Sequence, residues 1–184
     1  MSRRLIWGGL LAAVLASGLI LVNTSLEAQR RPRQRISPHE TTTSVVDGAK
    51  IIITYGRPSM RGRVIFGQLV RYGRVWMPGA DEATIFETSV PLRFGTVRLP
   101  AGAYSLYTLP NEMSWKLIIN KMTGQFHTVY YQDQDFARLD MTIEQLPQAV
   151  EQLTIAAVPR AGGGGRLQLE WEKTRVSVPF TAGN

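Results

Sequence analysis

Thr42-Thr43-Ser44-Val45-Val46-Asp47-Gly48-Ala49-Lys50-Ile51-Ile52-Ile53-Thr54-Tyr55 decides the fold class. Two β-branched runs, 42–46 and 50–55, flank Asp47-Gly48, a pair that favours the tight two-residue turn whose twist matches paired strands. Working outward, the same grammar repeats. Residues 92–94 and 97–99 flank Gly95-Thr96, and 103–109 follows the turn Pro100-Ala101-Gly102. Further strands are expected at 83–90, 115–120, 126–131, 137–143, 152–158, 166–172 and 175–180, with a short helical turn at 65–70. About ten short strands at turn-marked spacing predict an all-β domain over residues 37–181, a single antiparallel β-sandwich of jelly-roll-like form. Tyr104 begins a strand just after a turn, where a hydroxyl can reach back to nearby backbone and pin the corner.

The chain ahead of this domain has a different composition. Arg3 and Arg4 precede an uncharged apolar run at 5–22, rich in Leu, Ala and Gly, followed by polar residues up to Ala28. That layout predicts a hydrophobic helix at 1–28, serving as a secretory signal. Its 18 residues also reach the length needed to span a bilayer, so a retained transmembrane anchor is the second reading. Residues 29–36 form a basic linker in which Arg30, Arg31, Arg33 and Arg35 surround Pro32. These four arginines suit a solvated tether and could touch anionic lipid head groups. Export is expected, with the domain periplasmic or held at the inner membrane facing the periplasm.

The chain has 184 residues, a net charge of +7 and no cysteine. Without cysteine there is no disulfide, thiol nucleophile or thiolate metal site. From residue 37 onward 15 basic residues face 13 acidic ones, which leaves no electrostatic footprint for nucleic acid. His39 and His127 are too few for a histidine-based metal site, and Asp133, Asp135 and Asp140 lack the spacing of a calcium loop, so no metal or cofactor is expected. No serine stands in a Gly-x-Ser-x-Gly turn. If the chain carries acid–base chemistry, His39 with Asp81 or Glu82 are the candidates.

The densest segment runs from Tyr55 through Glu82. It interleaves Arg57, Arg61, Arg63, Arg71 and Arg74 with Tyr55, Phe66, Tyr72 and Trp76, and then adds Asp81 and Glu82. A long glycine-punctuated excursion of this kind either packs as a structural lid or binds something. Guanidinium groups beside aromatic rings can clamp carboxylates, phosphates or sugars, and Arg57, Arg63, Tyr72, Arg74 and Trp76 are the candidates for such a site. The same arginines could instead form internal ion pairs that hold the loop down.

Ser37-Pro38-His39-Glu40, Tyr55-Gly-Arg-Pro58, Gly62-Arg-Val-Ile-Phe-Gly67, Leu69-Val-Arg-Tyr-Gly-Arg-Val-Trp76, Gly79-Ala-Asp-Glu-Ala-Thr84, Leu99-Pro-Ala-Gly-Ala-Tyr104 and Glu170-Trp-Glu-Lys-Thr-Arg-Val-Ser-Val-Pro-Phe180 together resemble a bacterial envelope family, domain of unknown function 2911. The likeness spans about residues 36–180. It implies an exported β domain and brings no established activity, substrate or cofactor. Relatives usually carry Arg-Thr where Met77-Pro78 stand here and Asn at the position of Asp81, so a shared ligand held by those residues would be weakened in this chain.

Three functions are therefore carried forward. The first is a non-enzymatic module docking on a cell-envelope protein, in the manner of an accessory subunit of a membrane complex. The second is a binding module for a small anionic or carbohydrate ligand at the arginine–aromatic loop. The third is a hydrolase.

Overall fold

The computed structural model describes residues 36–183. The hydrophobic segment at 1–28 and all of the basic linker except Ile36 lie outside the described residues. Among the described residues no helix is long and apolar enough to cross a membrane.

The decisive stretch forms the expected hairpin of β1 (His39–Val46) and β2 (Ala49–Gly56). Val46 faces Ala49 across the turn, and Asp47 and Gly48 both take left-handed backbone, φ 47° and 79°. That is the geometry a two-residue turn needs to keep the strands twisted together. The chain continues through β3 (Ile85–Thr88), β4 (Leu92–Phe94), β5 (Val97–Leu99), β6 (Gly102–Pro110), β7 (Trp115–Asn120), β8 (Asp135–Pro159) and β9 (Gly165–Ala182). All pair antiparallel in one sheet, in the order β1-β2-β3-β6-β7-β8-β9-β4-β5. The hairpin around Gly95-Thr96 joins β4 to β5. Tyr104 donates its hydroxyl to the Pro100 carbonyl at 3.1 Å, the expected corner pin.

Three local expectations are corrected. Residues 126–131 form no strand; Val129 N–H turns back to the Phe126 carbonyl, and His127 N–H goes to Asp81. Residues 65–70 form a tight turn rather than a helix, closed by Val70 N–H to the Ile65 carbonyl at 2.9 Å. The last four expected strands merge into two long ones of 25 and 18 residues. They merge because Pro147 and its neighbours Leu146, Gln148 and Ala149 are accommodated in a bulge. Gln145 faces Thr174 and Val150 faces Glu172, so residues 146–149 stand opposite Lys173 alone. A proline without an N–H fits where the ladder is already open, and the extra residues bend both strands.

The bend brings the far half of β8 back toward the first hairpin. Leu153 N–H bonds the Pro58 carbonyl at 3.0 Å, Met60 N–H bonds the Glu151 carbonyl at 2.8 Å, and Ile155 N–H bonds the Tyr55 hydroxyl at 3.0 Å. The enclosed core takes Ile51, Ile53 and Tyr55 from β2, Phe86 from β3, and Leu167, Leu169, Trp171, Val176, Val178 and Phe180 from β9. Fully burying each large apolar side chain contributes roughly 1.5–3 kcal/mol relative to leaving it exposed.

Candidate functional site

The start of β1, the end of β2 and the loop at 79–84 meet at one corner. Gly56 makes the meeting close: a Cβ at that position would lie 2.2 Å from the Ala80 carbonyl oxygen. On this loop Asp81 adopts left-handed backbone at φ 66°. His39 Nε2 then stands 2.9 Å from Glu82 Oε2. His127 approaches from the other side, with both its backbone N–H and its Nδ1 at 2.9 Å from the Asp81 carbonyl. A carbonyl only accepts, so the ring Nδ1–H is the donor in that bond. The structure thus brings His39 to Glu82, and places Asp81 beside them through its backbone. A histidine–carboxylate pair can hold and pass a proton. Among the described residues no group of three His, Asp or Glu side chains is gathered as a metal site.

Arg57 sits next to this pair, and each of its three guanidinium nitrogens makes a bond within the domain. Its guanidinium donates to Glu40 Oε2 at 2.7 Å, the Leu153 carbonyl at 3.0 Å and Thr154 Oγ1 at 2.9 Å. Its backbone N–H bonds the Pro38 carbonyl at 2.7 Å. One side chain therefore ties β1, the end of β2 and the far half of β8 together. Arg63 turns back on its own loop, donating to the Met60 carbonyl at 2.8 Å and the Ser59 carbonyl at 2.7 Å. Trp76 pairs its backbone with Thr108, and its ring stacks on Trp171 with centroids 6.1 Å apart and planes 16° from parallel. Arg74 and Tyr72 are exposed. Arg57, Arg63 and Trp76 thus turn to partners within the domain, whereas Tyr72 and Arg74 face solvent.

Tyr72 instead borders a cleft of about 430 Å³ whose other walls include Phe66, Ala149 and Glu172. Behind Phe66 lies an aromatic hub: its ring meets Trp76, Trp115 and Trp171 edge-on, with centroids at 6.1, 4.9 and 6.4 Å. Sequence reasoning passed over Glu172, because the β8–β9 bulge that places it is a property of two strands together.

It also passed over a polar network under residues 121–134. Asn120 is completely buried and donates to the Tyr131 carbonyl at 2.7 Å and Asp135 Oδ1 at 2.9 Å. Tyr130 donates to Asp135 Oδ2 at 2.6 Å, and Arg138 donates to the same oxygen. Burial, and then the bond to the Asp135 carboxylate, push the Tyr130 phenol up to about 12. Asp133 is exposed and Asp140 pairs only with exposed Lys116, as a solvated strand edge should; Asp135 is drawn inside. The network fastens the loop that carries His127.

Comparison with known proteins returns one family. Its model, described as a protein of unknown function (DUF2911), matches residues 37–180. No curated protein matches the chain, and no solved structure does. The match covers nearly all of the β domain, with the His39–Glu82 corner, the arginine clamp and the aromatic hub inside it, and the chain belongs to the DUF2911 family.

Proposed function

We propose that this protein is a non-enzymatic β module that docks on a protein partner in the cell envelope, as an accessory subunit of a membrane complex. The observation that carries the reading is the division of labour within the β2–β3 excursion. Arg57 and Arg63 direct three and two of their five guanidinium N–H donors to internal acceptors. Of the apolar residues in the same excursion, Ile65, Phe66, Val70 and Met77 are buried and anchor it, whereas Val64 is 48% exposed and Leu69 49%. Met113, 89% exposed, tops the β6–β7 turn, whose Pro110 carbonyl accepts the Gly73 N–H beside Tyr72. Exposed large apolar side chains on an anchored loop and on the turn bonded to it support the reading of an interaction surface.

In this reading the sheet folds over as a sandwich, with the far half of β8 laid against the first hairpin, and gives the loop a rigid base. The N-terminal segment exports the domain, cleaved or retained as an anchor, so that it works at the periplasmic side of the inner membrane. Arg30, Arg31, Arg33 and Arg35 would then rest near anionic head groups. A photo-crosslinking residue placed at Leu69 in the full chain, in its own cells, tests the docking surface, with Val45 on β1, which is more exposed at 63%, as the control. A discrete crosslinked species from Leu69 and none from Val45 is the expected result. No product at Leu69, or the same products from both positions, refutes it.

A further inference from the structure

We infer that the cleft between the β2–β3 excursion and the β8–β9 bulge receives an organic cation, an ammonium or guanidinium on an apolar stem, presented as a lysine or arginine side chain of the docking partner. The inference rests on the docking reading for the source of the cation, though not for the binding itself.

Glu172 is the starting point. It lies in β9 at φ 54°, left-handed backbone that a side chain with a Cβ adopts only at a cost. The strain falls where the β8–β9 ladder opens, and strained backbone persists where something else requires it. What it achieves is the placement of a carboxylate beneath the loop. Glu172 Oε1 and Oε2 each accept one backbone N–H, from Ile65 and Phe66, both at the long distance of 3.4 Å. Bonds that long leave most of the accepting capacity of a carboxylate unused. Among the described residues no lysine or arginine pairs with it.

The surroundings select for a cation with an apolar body. Phe66 and Tyr72 give aromatic walls, Met60, Val64 and Ala149 give apolar ones, and the cleft of about 430 Å³ is large enough for an extended side chain. A cation over an aromatic face gains from the ring quadrupole as well as from the carboxylate. Lys173 also borders the cleft. Burial, and then the charges of Glu112 and Glu172, raise the Tyr72 phenol, so both carboxylates act on this aromatic wall. Exposed Val64 lines the cleft and Leu69 N–H bonds the Val64 carbonyl at 3.4 Å, so an arriving chain could cover this exposed pair as its basic side chain enters.

The test uses ethylguanidinium against its neutral isostere ethylurea and the anion propionate, each titrated into the full chain and followed by backbone and indole NMR. Ethylguanidinium should produce saturable shifts at Phe66, Tyr72, Glu172 and the nearby tryptophans, with a Kd on the order of millimolar for so small a probe. The Glu172→Gln variant keeps an oxygen for the two amides and should weaken binding about tenfold or more, as expected for removal of a partly buried charge partner. Equal shifts from ethylurea, a preference for propionate, or unchanged binding by Glu172→Gln would each overturn the assignment. Crosslinking at Leu69 decides the docking reading separately: probe binding without crosslinks sinks the docking and leaves the cation site standing, and the reverse result sinks the cation site alone.

Discussion

Arg57→Ala should unfasten the domain without touching its hydrophobic core. The side chain makes three bonds. Those to the Leu153 carbonyl and Thr154 hydroxyl come from a charged donor, but with the side chain 27% exposed they contribute only about 1 kcal/mol each. The ion pair with Glu40 joins side chains 27% and 38% exposed. Solvent screening at that exposure holds its contribution below about 1 kcal/mol. The total is about 2–3 kcal/mol, which for a domain near this size lowers Tm by about 5–10 °C. Lysine cannot span three acceptors, so Arg57→Lys should recover less than half of the loss. Glu40→Gln keeps an acceptor and should cost under about 1 kcal/mol. Differential scanning calorimetry of the full chain reads all three. A fall of less than about 2 °C for Arg57→Ala, or full recovery by lysine, would show that the clamp is not structural and return Arg57 to the list of ligand-binding residues.

Three other perturbations probe neighbouring parts of the account. Gly56→Ala forces a Cβ against the Ala80 carbonyl, 2.2 Å away, and should cost about 1–3 kcal/mol in denaturant unfolding while loosening the His39–Glu82 contact, visible as a change in the His39 ring signals. Tyr104→Phe removes only the hydroxyl bond to Pro100 and should cost about 0.5–1.5 kcal/mol, with no change in circular dichroism. The Tyr130 phenol ionises at about 12 in the folded chain against an ordinary value of 10.0, so above pH 10 the folded state holds a proton the unfolded state has lost. Stability should therefore fall as pH rises from 10 toward 12, and Tyr130→Phe should flatten that fall in urea titrations.

The parts of the fold legible in the sequence are those decided within a few residues. Asp47-Gly48 and Gly95-Thr96 declare their hairpins because turn chemistry is local, and Tyr104 declares its corner because its acceptor is four residues back. Merger of the last strands was hidden, since Pro147 reads as a stop until a partner strand supplies a bulge. Residues 126–131 look like a strand by composition, yet their backbone is claimed by Asp81 and by the network around Asn120. The candidate site divides the same way. His39 and Glu82 were named from residue type and do meet, whereas the internal engagement of Arg57 depends on Leu153 and Thr154, about a hundred residues away in sequence. Glu172 was legible only as one more acidic residue on a strand, because its exceptional backbone arises from the mismatch between two strands.

Native mass spectrometry of the endogenous protein, gently extracted from membranes, tests the docking claim most directly. The account predicts a complex with at least one other chain that falls apart when Leu69→Asp is introduced, while the variant keeps its folded charge distribution. A protein that is monomeric and partnerless under the same extraction would contradict it.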